Sequence, residues 1–215
     1  MRARSGFTLI ELAVVLGVAS AMLLLGAGQY SSWQETERIR SAARKVDSAF
    51  AYARSEAVKT GRSQIVFFNT DIAGDALTDQ NDQEVPILIL DDGRPGMTRH
   101  NCEIDAGEPI QTLTLESGVS FGVRASTAKV GMDDGTTAFG GASTFAQTGG
   151  GAATWVLFQA DGTPRSANAA CALGPLGSGG GGIYLNNPRR DVAVVLTPLG
   201  ASRVFTWRPG GSAWN

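Results

Sequence analysis

Gly6-Phe7-Thr8-Leu9-Ile10-Glu11-Leu12 opens the run that decides the fold, residues 7 to 28 (FTLIELAVVLGVASAMLLLGAG), in which Glu11 is the only charged side chain. A helix over this run is about 33 Å long at about 1.5 Å per residue, against about 30 Å of bilayer hydrocarbon, so the run predicts one membrane-spanning helix. Arg2 and Arg4 precede it with no acidic residue beside them. The positive-inside tendency then leaves the N-terminus cytoplasmic and sends the following body outward. A cleavable secretory signal competes with this reading, since Ala19-Ser20-Ala21 offers a small-x-small site. Against it, a carboxylate in the apolar run costs about 2.5 to 3.5 kcal/mol on insertion scales, an expense without purpose in a discarded tag. The apolar run also continues past that site.

Gly6 places no side chain before Phe7 and allows an extended, strained backbone, as a peptidase site requires. The string from Gly6 to Leu12 resembles the type III signal of type IV pilins and type II secretion pseudopilins. The resemblance implies a leader of residues 1 to 6, cleavage between Gly6 and Phe7 by a dedicated prepilin peptidase, and methylation of the new terminus at Phe7. It also implies that Glu11 pairs with the Phe7 ammonium of a neighbouring subunit. A lone carboxylate in lipid is costly and an ammonium partner removes most of the penalty, so the cost becomes a preference for assembly. Ala13, Gly17 and Ala21 recur every four residues, a small-xxx-small pattern that permits close helix approach. Gly26 and Gly28 each lower helix propensity by about 1 kcal/mol relative to alanine, near the place where many pilins carry a helix-breaking proline that is absent here.

Residues 29 to 61 are expected to continue the anchor as an amphipathic helix. Ile39, Ala42, Ala43, Val46, Ala49, Phe50, Ala53 and Ala57 fall on one stripe, with Arg38, Arg44, Lys45, Asp47 and Glu56 mostly off it, and Gly61 supplies a stop. The period then changes. Residues 63–68, 85–90, 110–115, 119–123, 154–159, 183–186, 192–197 and 202–207 read as strands by β-branched content or alternation. A long N-terminal helix followed only by strands gives an α+β class, with residues 62 to 215 as a β-rich globular domain. Asp92-Gly93, Asp134-Gly135, Asp161-Gly162 and Asn187-Pro188 supply turns. The phrases Ala53-Arg54-Ser55-Glu56-Ala57-Val58 and Phe158-Gln159-Ala160-Asp161-Gly162, with the strand pair ending at Trp207, are similar to the GspH/FimT branch of pilin-like proteins. That branch implies a pilin-like fold, the helix packed on an antiparallel sheet.

The formal charge of -2 gives no general attraction to polyanions, and the 28 glycines suit a body rich in turns. Cys102 and Cys171 are the only cysteines. A periplasmic body favours a bridge between them, with two separate thiols as the alternative, since sequence separation carries no Cα geometry. Asp71, Asp75, Asp79, Asn81, Asp82 and Glu84 offer oxygen ligands, as in the calcium loops of some pseudopilins, but lack the sixth-position glycine of an EF-hand and read as a solvated loop. Gly177, Gly179 and Gly182 form a G-x-G-x-x-G that leads into a strand rather than a helix, so it reads as a flexible loop and not a dinucleotide site. The single histidine, His100, is expected at the surface, and with no G-x-x-x-x-G-K and no G-x-S-x-G neither phosphate cradling nor a histidine-based triad is available. No enzyme activity, cofactor or metal is expected.

Arg189, Arg190, Arg203 and Arg208 are the candidates for DNA contact, with Trp207 and Trp214 as stacking partners. FimT-type proteins in some competent bacteria bind DNA through C-terminal arginines. Their glycine-arginine-x-arginine signature is not present, because Gly200 is followed by Ala201, Ser202 and Arg203. Arginines that solvate strand edges are the plainer reading, which argues against nucleic acid as a partner. The resemblance as a whole implies a minor pilin or pseudopilin in the tip or initiation complex of a type II secretion pseudopilus or type IV pilus. Its partners would be other pilins, the prepilin peptidase and the bacterial inner membrane, which it would cross once. The alternative is a DNA-binding minor pilin for uptake in natural transformation.

Overall fold

A computed structural model describes residues 8–93, 101–105, 107–130, 133, 139–207, 210 and 213–215, without the side chains of residues 24–29. Helix α1, Leu9–Thr60, is a single element of 52 residues. Thr8 caps its start and Gly61 its end, where a left-handed φ of 67° lets the Gly61 N–H donate to the Ala57 carbonyl at 3.0 Å. The eight residues of the predicted stripe, Ile39 to Ala57, are all buried. Alanine at five of those eight positions keeps the helix close to the strands beneath it.

The strands are β1 (Ser63–Phe68), β2 (Ile87–Asp92), β3 (Ile110–Leu113), β4 (Ser120–Phe121), β5 (Trp155–Phe158), β6 (Pro164–Arg165), β7 (Gly181–Asn186), β8 (Asp191–Leu196) and β9 (Ser202–Trp207). They form two antiparallel sheets, ordered β3-β2-β1-β5-β6 and β4-β7-β8-β9. The class is α+β. The C-terminal part of α1 packs on strands of both sheets, so helix and sheets share one core. Phe50 lies at its centre, with ring centroids 5.6 Å from Phe68 and 6.1 Å from Phe145, both edge-on. The second sheet is apolar on both faces. Ile183, Leu185, Val192, Val194 and Leu196 enter the main core, while Tyr184, Ala193 and Val195 join Val130 in a smaller cluster opposite.

β1 and β9 coincide with their expected spans, and the others differ at their ends. The segment expected at residues 85–90 begins two residues later, because Pro86 has no N–H for a ladder and Val85 donates instead to the Leu77 carbonyl at 2.9 Å. The strand then runs on through Asp91 and Asp92, both buried. β6, two residues long, carried no periodic signal.

The glycine run is not the flexible loop that the sequence suggested. Gly181 and Gly182 belong to β7. A Cβ on Gly179 would stand 2.3 Å from the Arg165 nitrogen and the Pro164 carbonyl carbon, and one on Gly181 would stand 2.6 Å from Phe145 Cδ1. These glycines are present because neighbouring chain passes too close for any side chain. Cys102 and Cys171 form a disulfide, with Cα atoms 5.4 Å apart across 69 residues of sequence. The bridge ties the segment before β3 to the loop after β6.

Candidate functional site

The N-terminal end of α1 is a capping box. Thr8 has an extended backbone (φ -78°, ψ 152°), its hydroxyl accepts from the Glu11 N–H at 3.3 Å, and Glu11 Oε2 accepts from the Thr8 N–H and Oγ1, each at 2.8 Å. Glu11 is therefore hydrogen-bonded within the single chain, with its other carboxylate oxygen outside these bonds. One of its oxygens holds two donors of its own helix. The Thr-x-x-Glu spacing of a capping box lies within the string from Gly6 to Leu12. The cleavage and methylation positions, Gly6 and Phe7, lie outside the described residues.

Beyond the cap, Leu9, Ile10, Leu12, Val14, Val15, Leu16, Val18, Met22 and Leu23 are all exposed, Leu9 at 87% and none below 52%. The protein's own body covers none of them. Among the described residues no helix is long and apolar enough to cross a membrane. The expected span of residues 7 to 28 includes Phe7 and the side chains of residues 24–28, which are not described. Among the described side chains the first residue of α1 to be buried is Ile39. Ahead of it Glu35 and Arg38 reach the body through hydrogen bonds, and from Ile39 to Ala57 the apolar stripe is consumed by the fold.

Of the arginines expected to contact DNA, the described ones, Arg189, Arg190 and Arg203, are divided between a turn and a strand. Arg189 Nε donates to Glu35 Oε2 of α1 at 2.8 Å, in the turn between β7 and β8. Asn187 holds that turn, accepting from the Arg189 and Arg190 N–H groups and donating to the Glu35 carbonyl at 2.7 Å. Arg203 lies opposite Val195 on β9, four residues along the strand from Trp207, whose partner is Asp191. That separates it from the turn by roughly 13 Å at about 3.4 Å per residue. Arg208 lies outside the described residues. The tryptophans are engaged with one another, their centroids 5.5 Å apart; Trp207 is buried and Trp214 donates Nε1–H to the Ala128 carbonyl at 2.9 Å. Neither offers an open face of the kind a base would stack upon.

The acidic loop is self-satisfied. Asp71 Oδ1 accepts from the N–H groups of Ala73, Gly74 and Asp75, and Asp79 Oδ1 accepts from those of Asn81 and Gln83, which holds the Asp79 carboxyl below its usual range. Buried Asp92 lies near the bridged sulfurs, which carry no thiolate to bind a metal. His100 lies outside the described residues. A residue with no sequence signal is Asp191, fully buried, whose Oδ2 accepts from the N–H groups of Arg124, Ala125 and Ser126 at 3.0, 2.7 and 2.7 Å and fixes the loop after β4 to the second sheet. No family model, curated protein or solved structure matches the chain.

Proposed function

We propose that the chain is a minor pilin or pseudopilin, a structural subunit of the tip or initiation complex of a type II secretion pseudopilus or type IV pilus. The observation that carries this reading is the division of α1. Its stretch from Ile39 to Ala57 belongs to the core, while its N-terminal stretch presents large apolar side chains that nothing in the chain covers. Exposed apolar surface on that scale calls for lipid or for another protein. The prepilin-like string at Gly6 to Leu12 selects both in turn, membrane before assembly and neighbouring subunits after it. In this reading residues 1 to 6 are removed by the prepilin peptidase, the helix holds the protein in the bacterial inner membrane, and the two-sheet body lies in the periplasm. The chain performs no catalysis, and its partners are other pilins bound through the N-terminal helix.

Co-purification from the native membrane after mild cross-linking tests the reading. Other pilins or pseudopilins should be recovered with the chain, and recovery should fall when Leu12, Val15 and Leu16 are replaced by serine. A chain that cross-links to no pilin-like protein contradicts it. The alternative DNA-uptake role finds no support in the engaged Arg189 or in the packed Trp207 and Trp214.

A further inference from the structure

Past the apolar stretch, α1 carries two large aromatic side chains that the fold leaves outside. Tyr30 and Trp33 are each 60% exposed, they sit three residues apart on one side of the helix, and their ring centroids are 6.1 Å apart. Neither the Tyr30 hydroxyl nor the Trp33 Nε1–H has a hydrogen-bond partner among the described residues. An aromatic ring with an unsatisfied polar tip belongs where an apolar medium meets a wet one.

Their position along the helix agrees. From Glu11 to Tyr30 the helix rises about 28 Å, close to the hydrocarbon thickness of about 30 Å. On one side of the pair the large exposed side chains are leucine, isoleucine, valine and methionine, and on the other the charged Glu37, Arg38, Arg40 and Arg44 follow. From Tyr30 to Glu35, which the turn between β7 and β8 reaches through Asn187 and Arg189, is a further rise of about 8 Å. The headgroup layer on each side is about 5 to 8 Å thick, so the body begins at its outer edge.

We infer that Tyr30 and Trp33 form an interfacial anchor that lodges in the boundary between phospholipid headgroups and acyl chains on the side of the membrane facing the body. The pair sets the depth of the helix, because moving either ring into hydrocarbon strips its polar tip of partners and moving it into water exposes its face. The alternative occupant, the helix of a second pilin, shields the rings from lipid and is distinguished below. This inference rests on the membrane placement in the proposed function.

The test uses the full-length protein in vesicles of phosphatidylcholine and phosphatidylglycerol whose acyl chains carry bromine either near the headgroup or near the chain end. Flotation with the vesicles comes first, and a protein that does not float overturns both the membrane placement and the anchor. For protein that floats, the signal of Trp33 is the fluorescence difference between the unaltered chain and Trp33→Phe, which leaves the buried core untouched. The shallow bromine should quench this difference signal more strongly than the deep one, and the extra quenching should be lost in Trp33→Phe. A floating protein whose Trp33 signal resists both labels, as under a neighbouring helix, overturns the anchor while leaving the membrane placement intact. Stronger quenching by the deep label overturns it equally.

Discussion

Replacing Glu11 by alanine removes the acceptor for two Thr8 donors and, in the proposed function, the carboxylate that a neighbouring subunit would meet. The body does not touch this residue, so Glu11→Ala should leave its unfolding free energy within about 0.5 kcal/mol of the parent, measured by thermal melting. Recruitment into the pilus or pseudopilus should fall, read by co-purification with partner pilins. Thr8→Val removes only the cap and separates the two roles: recruitment retained in Thr8→Val and lost in Glu11→Ala locates the function in the carboxylate. Glu108 gives a pH prediction. Burial raises its pKa, with the nearby Asp92 and Asp105 charges adding to the effect against hydrogen bonds that lower it. The native state therefore holds this proton more tightly than the unfolded chain. Its contribution to stability is fully present below the ordinary glutamate value of 4.5 and is lost as pH rises through the folded value. Glu108→Gln should be more stable than the parent near neutrality, and the difference should shrink as pH is lowered toward 4.5 in denaturant titrations. Charged residues were the least legible part of the sequence. Glu11 stood out because it interrupts an apolar run, whereas Asp191 and Asp91 look like any polar residue beside a strand until the fold brings Arg124, Ala125 and Ser126 to one and Arg62 and Gln64 to the other.

At the level of elements, helix α1 was readable because its period is local. Ile39, Val46, Phe50 and Ala57 declare a buried face by spacing alone, and Gly61 declares the end. Strand ends were less readable, since Asp91 and Asp92 continue β2 for reasons that lie in Arg62, Gln64 and the core. The glycine run misled for a similar reason. Composition alone reads a glycine as freedom, while here the determinant is the backbone of Pro164 and Arg165, distant in sequence. Gly179→Ala should therefore destabilise the protein by about 1 to 3 kcal/mol, as overpacking does. Gly140→Ala, with nothing within 4 Å of the added methyl, should change stability by no more than about 0.5 kcal/mol. Urea denaturation of the two variants compares them directly. Equal, small effects would restore the flexible-loop reading.

For the whole molecule, the formal charge is -2, and the described arginines among the DNA candidates, Arg189, Arg190 and Arg203, are divided between an occupied turn and a separate strand. Each phosphate neutralised on duplex DNA contributes about 0.9 to the slope of log affinity against log salt, so binding through a few scattered arginines fades by physiological salt. Full-length protein in detergent should show no DNA binding at about 150 mM salt, a typical physiological ionic strength. Micromolar affinity there, abolished by replacing Arg189, Arg190, Arg203 and Arg208, would move the function to DNA uptake. The α+β class and the helix-first order were legible because they depend on periodicity. The division into two sheets was not, because pairing between β4 and β7, or β1 and β5, depends on contacts that no local pattern encodes. The central claim, that this is a prepilin whose processed N-terminal helix is its means of assembly, is tested most directly by mass spectrometry of the N-terminal peptide from protein isolated in its native membrane. The expected terminus is N-methylated Phe7. A terminus at Met1, or one following Ala21, would contradict it.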